Sequence, residues 1–280
     1  VNPQETPENG VSQYCLDHTQ GPACAMACPA ATVYRNYLCP VDHLQNADNP
    51  KKFSGQGVKQ LDTTCEFADL VGNKDNRFWT MRNGYLLPEN RDSMQRLGKL
   101  LEDPNQRSQA VSKMRVGVHW ETQTAKCVPS SSRRPMSASM SSENPHRVCQ
   151  VLCSAVPVAY DSTTPPQEWE KLARVVLDSL YEATLAVGAI LSLKRESRVT
   201  VFLTSVGGGA FGNRMEWIVE AVEKAVHKFK GCQLDVKMVH YQMQANHPFT
   251  HLQKQFPPPT HFGSYTRRGS GGNSGRNRLG

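Results

Sequence analysis

A glycine-rich stretch around residue 210 is the part of the sequence whose residue types and spacing best suit a ligand. Glycine lets the backbone approach a ligand closely, and free N–H groups in such a turn bind anions. Three consecutive glycines also cost more chain entropy than an ordinary turn needs. We therefore interpret the stretch as a phosphate-binding segment, with a plain tight turn as the alternative. We call it the glycine loop, and its residues are Gly207, Gly208, Gly209, Ala210, Phe211, Gly212 and Asn213.

Four acidic residues that precede the glycine loop are candidates for catalysis. Carboxylates close to a bound sugar act as a general base or stabilise an oxocarbenium-like centre. The structural alternative is that acids at a helix start favour the helix dipole and acids on its outer face are solvated. The first two lie nearer the expected site, whereas the last two share one helix face deeper along the helix. These residues are Asp161, Glu168, Asp178 and Glu182.

Several nucleotide-binding motifs are absent from the sequence. The glycine loop lacks the Gly-x-x-x-x-Gly-Lys-Ser/Thr pattern of NTPases. It also lacks the dinucleotide-binding pattern, which is Gly-x-Gly-x-x-Gly in the first βαβ unit followed by an acidic residue about 20 positions later. Phe211 would pack over a ribose or a base, or it would fill the core. Arg35 and Asn36 lie between two tyrosines, and they would either contact a ligand or tie down the backbone of their own segment.

The elements around these residues alternate between strand and helix. Apolar periodicity predicts strands at 115–120, 148–160, 199–206 and 234–241, and helices at 167–193 and 215–229. This order favours an α/β fold with parallel strands. Because ligands bind beyond the carboxyl ends of parallel strands, we expect the loop at 160–166 to meet the glycine loop.

Composition divides the chain of 280 residues into one large domain with polar ends. We expect a flexible lead-in over 1–20, a domain over 21–245 with a flexible internal loop at 129–145, and a disordered basic tail over 246–280. The formal charge is +7, and five basic residues lie beyond residue 241, where there is no acid. The positive balance is therefore a property of the tail rather than of the domain.

The remaining composition indicates an intracellular protein. Cys24 and Cys28 lie four residues apart among nine cysteines, but no histidine stands at finger spacing, and Cys149 and Cys153 flank a predicted buried strand. We therefore expect no metal site, no cofactor and a reduced environment. No apolar stretch reaches the length expected of a membrane span, and the first residues show no signal-peptide pattern. We expect a cytoplasmic or nuclear location and no membrane partner.

The glycine loop, followed by Met-Glu-Trp-Ile, resembles the late diphosphate-binding loop of macrodomains, in particular the poly(ADP-ribose) glycohydrolase-like branch. More of the chain is similar to the arginine-specific ADP-ribosyl hydrolase macrodomains, a group typified by a Legionella effector that acts on ADP-ribosylated ubiquitin. The similar segments are 20–37, 83–88, 153–160 and 181–185, and together they span most of residues 20–241.

This resemblance implies a macrodomain-like three-layer α/β/α fold with a mixed, largely parallel central sheet. It implies binding of ADP-ribose by the glycine loop and hydrolysis of the bond between ADP-ribose and an arginine side chain, with a modified protein such as ubiquitin as substrate. The chain departs from ordinary macrodomains, because residues 46–57 are a degenerate stand-in for the early Asn-x-x-x-Pro-Gly-Gly-Gly loop. The alternatives are an ADP-ribose reader without catalysis and an RNA-associated adaptor that contacts nucleic acid through its basic tail.

Overall fold

The computed structural model describes residues 14, 20–39, 61–82, 84–128, 137–139, 146–240 and 248–257. Its helices are α1 (Gln20–Ala27), α2 (Pro29–Val33), α3 (Cys65–Val71), α4 (Arg91–Leu100), α5 (Pro104–Lys113), α6 (Pro166–Arg195), α7 (Met215–Lys228) and α8 (Thr250–Gln255). Its strands are β1 (Trp79–Arg82), β2 (Tyr85–Pro88), β3 (Gly117–Gln123), β4 (Lys126–Val128), β5 (Ser137–Ser139), β6 (Arg147–Leu152), β7 (Val199–Leu203) and β8 (Leu234–Met238). A π-helical turn at Tyr34–Leu38 follows α2, and a 3-10 turn at Val158–Tyr160 precedes α6.

Helix α6 is the centre of the hydrophobic core. It begins with Pro166, whose fixed φ and missing N–H suit the first helical position, and the predicted helix at 167–193 is confirmed. By length and composition alone α6 would be long and apolar enough to cross a membrane, contrary to the expectation from the sequence. However, 61% of the most apolar 18-residue stretch of α6 is buried inside the protein. The finding is therefore consistent with the core helix of a soluble protein.

The segment β7–α7–β8 is a parallel strand–helix–strand unit. Val199 pairs with Leu234 and Leu203 with Met238 in a parallel register, which confirms the parallel strands predicted here. Residues of β7 alternate between buried and exposed, and Phe202 lies on the exposed face. The glycine loop therefore follows the carboxyl end of a parallel strand, as the sequence predicts.

The fold is mixed helix and strand, but the described strands form four two-stranded sheets rather than one central sheet. Strands β3 and β6 pair antiparallel, with a register shift between His119 and Thr122. The strand predicted at 148–160 ends early, because β6 stops at Leu152. Beyond it, backbone groups at Val156 and Ala159 bond to the glycine loop instead of to a neighbouring strand.

Two predicted flexible segments contain ordered structure. Strand β5 lies inside the loop expected at 129–145 and pairs with β4. Helix α8 lies inside the tail expected to be disordered, because Phe249 and Leu252 are buried against the core. Tyr14 of the expected lead-in is buried. The other residues before 20, the stand-in loop at 46–57 and residues 258–280 with the basic tail expected to contact RNA lie outside the described residues.

Replacing Gly188 with alanine tests the close packing of α6 on the β7–β8 pair. A Cβ at this position would lie 2.6 Å from Val201 Cγ2 and 3.2 Å from Leu234 Cδ2. Overpacking costs about 1–3 kcal/mol, and this exceeds the roughly 1 kcal/mol by which alanine is favoured over glycine in a helix. We expect Gly188→Ala to lower the free energy of unfolding measured in urea.

Gly98→Ala in α4 is the matched control for that substitution. Its new Cβ would meet only Lys171 Cγ, at 3.7 Å, which is an ordinary contact. Without the clash, the helix preference for alanine should raise the free energy of unfolding by up to about 1 kcal/mol. Equal effects of the two substitutions would contradict the packing argument.

Candidate functional site

The glycine loop closes on itself through backbone hydrogen bonds. Asn213 N donates to Gly207 O at 2.9 Å, and Gly212 N donates to Gly209 O at 3.0 Å. Gly207 and Gly212 have φ of +83° and +69°, which is backbone that side chains other than glycine rarely adopt. The loop is therefore a defined turn that joins β7 to α7.

The segment 155–160 packs directly against the glycine loop. A Cβ on Gly207 would lie 2.4 Å from Ala155 Cβ, and one on Gly212 would lie 2.8 Å from Ala159 Cβ. Asn213 Nδ2 donates to Val156 O at 2.8 Å, which holds the two segments together. The prediction that two loops meet at this edge is confirmed, although the contact begins before residue 160. Gly207 and Gly212 are required by the fold itself.

Gly209 differs from those two glycines. Its φ is not positive, and a Cβ there would meet nothing within 4 Å. Within the described part of the chain, the N–H groups of Gly209, Ala210 and Phe211 donate to no protein acceptor. Three consecutive N–H groups without protein acceptors, next to the start of a helix, are available to bind an anion. Gly209 and Ala210 are exposed, so water satisfies these groups when no ligand is present.

The buried hydroxyl of Tyr181 holds the junction between β7 and the glycine loop. It donates to Thr204 O at 2.7 Å and accepts from Val206 N at 3.0 Å. Burial raises the pKa of Tyr181, and this effect outweighs the bond from Val206 N, so the hydroxyl stays protonated. The sequence places Tyr181 within the apolar stripe of α6, and nothing in that pattern distinguishes it from a core residue.

Three aromatic rings form a cluster beside the glycine loop. The centroids of Tyr160 and Phe211 are 5.2 Å apart, and Tyr85 lies 5.5 Å and 5.9 Å from them. All three contacts are edge-to-face, a favourable arrangement for aromatic pairs. The rings are too close to one another to hold a ligand between them. Phe211 thus packs against its neighbours, and the half-exposed ring of Tyr160 is the surface open to a ligand.

Asp161 follows Tyr160, whose ring packs on Phe211 of the glycine loop. Its Oδ1 accepts from the Thr163 N–H at 2.8 Å and from the Thr163 hydroxyl at 2.6 Å. Burial raises the pKa of Asp161, but the bonds from Thr163 and the proximity of Thr164 outweigh burial, and the net pKa is lowered. Its Oδ2 and the Thr164 hydroxyl are buried, and neither makes a hydrogen bond within the described residues.

Glu168 joins two helices. Its Oε1 accepts from Gln95 Nε2 at 2.7 Å and from Arg91 Nη2 at 3.2 Å. The pKa of Glu168 is lowered. The bond from Gln95 is the largest cause, burial acts next and in the opposite direction, and the bond from Arg91 then lowers the pKa further. This carboxylate ties the first turn of α6 to α4, and no contact joins it to the glycine loop in the part of the chain that the structure describes.

Asp178 and Glu182 also have structural partners. Arg107 Nη2 lies 2.6 Å from Asp178 Oδ2, and Lys224 Nζ lies 3.2 Å from the same oxygen. Glu182 pairs with Lys228. The helical spacing correctly predicts that both acids share one face of α6, but that face packs against α5 and α7. Both carboxylates are therefore engaged by cations of neighbouring helices, and their catalytic role stays a prediction.

Arg35 and Asn36 bind one another and Tyr14. Asn36 is fully buried, and its Nδ2 donates to Tyr14 Oη at 3.1 Å, as does Arg35 Nη2 at 3.2 Å. The pKa of His119 is lowered, and burial is the largest cause. The bond to Gln150 acts in the opposite direction, and the nearby Arg35 guanidinium lowers the pKa further. Of the two alternatives drawn from the sequence, the contacts favour tying down the chain over binding a ligand.

A small cavity lies behind the segment that supports the glycine loop. Its volume is about 100 Å³, and its walls include Tyr85, Cys153, Ala155 and Leu180. Burial raises the pKa of the Cys153 thiol to about 11. Pockets for small molecules occupy about 300–1,000 Å³, so this cavity is too small for a nucleotide. A nucleotide would have to lie on the exposed side of the loop.

No family model, curated protein or solved structure matches this chain. The resemblance to macrodomains therefore depends on the sequence segments that carry it. In the ranges that the structure describes, no group of three or more His, Cys, Asp and Glu side chains is arranged to hold a metal ion. Function has to be argued from the geometry of the site itself.

Replacing Thr163 with valine tests how the charge of Asp161 is maintained. The substitution removes the hydroxyl bond to Oδ1 and keeps the backbone bond, so we expect the pKa of Asp161 to rise in an NMR titration of its carboxyl carbon. A lowered carboxyl pKa stabilises the fold above the unfolded value of about 3.9 and ceases to do so as the pH falls below it. The loss of stability in Thr163→Val should therefore be larger at pH 7 than at pH 3.

Ser162→Ala is the control for that titration, because Ser162 is an exposed hydroxyl beside Asp161 that does not bond to its carboxylate. It should leave the pKa of Asp161 unchanged. A titration of Asp161 that is the same in Thr163→Val as in the unmodified protein would show that the hydroxyl does not hold the charge.

Proposed function

We propose that the protein binds ADP-ribose and that the glycine loop holds its diphosphate. The observation that carries this proposal is the set of free N–H groups at Gly209, Ala210 and Phe211, next to the start of α7. A diphosphate offers acceptor oxygens to such donors, and the helix dipole favours its negative charge. The residues are already ordered, so no rearrangement has to precede binding.

The glycines of the loop differ in what constrains them, and this difference favours a bound ligand over a plain turn. Positive φ and close packing account for Gly207 and Gly212, and Ile218 Cδ1 lies 3.1 Å from the position a Cβ would take on Gly208. No such constraint applies to Gly209. The missing side chain at that position leaves the backbone open to the close approach of a ligand.

The resemblance to macrodomains specifies ADP-ribose among the possible diphosphates. The exposed ring of Tyr160 beside the loop offers an apolar surface for a ribose or a base. We extend the proposal to the fold, as a macrodomain-like α/β arrangement to which the parallel β7–α7–β8 unit belongs. The partner is an ADP-ribosylated protein, and the setting is the cytoplasm or nucleus.

Gly209→Ala separates the ligand from the fold. We expect the unmodified protein to bind ADP-ribose saturably in isothermal titration, and Gly209→Ala to weaken the affinity at least about tenfold, because the methyl group occupies the ligand's side of the loop. Stability should be unchanged or higher by about 0.4–1 kcal/mol.

Gly231→Ala is the matched control, since its Cβ would also meet nothing within 4 Å and it lies in the turn after α7. That variant should bind ADP-ribose like the unmodified protein. If Gly209→Ala binds equally well, the glycine loop is a turn and the proposal fails.

A second candidate function, removal of ADP-ribose from arginine side chains, is favoured by the position of Asp161. Its carboxylate follows the ring that packs on Phe211, and the lowered pKa keeps it ionised at neutral pH. In the proposed reaction water attacks the anomeric carbon, the bond to the guanidinium nitrogen breaks, and the proton passes to the leaving group. Asp161 would accept the water proton or stabilise positive charge on the sugar.

Asp161→Asn tests this reaction. On an arginine-linked ADP-ribosylated protein, with ubiquitin as the first substrate, we expect ADP-ribose release to fall about 10²–10⁴-fold while affinity for ADP-ribose is retained. Glu168→Gln should leave turnover intact, because Glu168 is engaged by Arg91 and Gln95. Equal losses in the two variants would refute the assignment. Binding by the unmodified protein without turnover on any linkage would leave a reader.

A further inference from the structure

A groove separate from the glycine loop lies between α5, α6 and α7. Its volume is about 350 Å³, within the range of small-molecule pockets and larger than the cavity behind residues 155–157. The residues that matter for its chemistry are Arg107, Ser108, Asp178, Glu182, Lys224 and Lys228. Two of them, Asp178 and Glu182, are carboxylates that the sequence suggests for catalysis and that the glycine loop does not use.

The charges in the groove follow from the parallel packing of α6 on α7. Asp178 pairs with Lys224 and Glu182 with Lys228, each pair joining residues 46 apart in sequence. One helical turn separates the two pairs on each helix. Each helix therefore carries like charges at i and i+4, which are unfavourable alone and are neutralised by the facing helix.

Arg107 of α5 adds a third cation without a third acid. It shares Asp178 Oδ2 with Lys224, so the groove lining contains three cations and two carboxylates. Asp178 is the least exposed of the five charged side chains, whereas Lys224 and Lys228 are at least half exposed. An ammonium has three donors, and these exposed side chains can turn toward a ligand in the groove.

The first turn of α5 also opens on the groove. Pro104, Arg107 and Ser108 line it. The end of this helix is capped by an acid, because Asp103 Oδ1 accepts from Asn105 N at 3.0 Å. The Ser108 hydroxyl adds a neutral donor. The excess charge of the groove lining and the hydroxyl favour an anion with several acceptor oxygens.

We propose that this groove binds a phosphate group, either as free phosphate or as a phosphomonoester. The anion contacts Lys224 and Lys228 on α7 and Ser108 on α5, and it balances the one positive charge by which the cations of the groove lining outnumber its carboxylates. The site is independent of the glycine loop, and its occupation does not depend on ADP-ribose binding. It joins α5 to α7 across α6 and so adds to the stability of the packed helices.

Site-resolved titration of the full chain with inorganic phosphate tests the groove. Amide shifts in an NMR spectrum should change saturably at residues 104–108 and 224–228, and the changes should persist when ADP-ribose is present. A parallel titration with O-phosphoserine separates the two sources, because only an open groove accepts the larger ester. Raising the salt concentration from about 0.05 to 0.5 M should weaken the binding of phosphate and of O-phosphoserine, because salt screens the attraction between surface cations and an anion.

The double variant Lys224→Gln/Lys228→Gln should weaken phosphate binding on the order of tenfold. It leaves Asp178 paired with Arg107, so the fold is preserved, and a thermal melt verifies this. Lys230→Gln removes the same kind of charge outside the groove lining and should bind normally. Shifts confined to residues 207–213, no saturable shift, or the same loss in Lys230→Gln would overturn the proposal and leave the groove as a set of structural ion pairs.

Discussion

The close approach of residues 155–159 to the glycine loop is the constraint on which the rest of the site depends. The methyl groups of Ala155 and Ala159 occupy the space that side chains on Gly207 and Gly212 would need. The Asn213 amide then fastens the two segments through Val156 O. Val156 and Ala159 use backbone groups in this contact, β6 ends at Leu152, and the described strands form two-stranded sheets in place of the continuous sheet expected from the sequence. Local strand pairing gives way to a contact that orders the loop.

Helix α6 supports the glycine loop from both flanks. The Tyr181 hydroxyl holds the end of β7, and ion pairs from Arg174 and Asp178 hold α7. Exposed pairs contribute about 0–1 kcal/mol each, whereas burying a side chain such as Leu177 or Leu185 contributes about 1.5–3 kcal/mol. Apolar burial therefore fixes the position of α6, and the polar contacts set the orientation of its neighbours. The free N–H groups of the loop are thus held in place before any ligand arrives.

The sequence predicts the local elements well and the partners of polar residues poorly. The strand, glycine loop and helix of the β7–α7 segment follow from apolar periodicity and from glycine chemistry, and both are local properties. The partners of Asp178 lie on α5 and on α7, far away in sequence, so spacing along α6 shows only that Asp178 and Glu182 share a face. Arg35 likewise meets Tyr14 through the fold. Composition also misses α8, because the burial of two apolar residues outweighs a polar surrounding sequence.

The geometry favours binding over catalysis for a specific reason. The N–H groups at Gly209, Ala210 and Phe211 have no protein acceptor among the described residues and are ordered, so the proposed anion would bind there without movement of the loop. Asp161 is ionised, but its unpaired Oδ2 is out of contact with solvent beside the equally buried Thr164 hydroxyl. A water molecule activated by this oxygen therefore requires the turn at 161–164 to open. A ligand that completes the glycine loop would have to supply the free energy for that opening, and this requirement links any turnover to prior binding of the diphosphate.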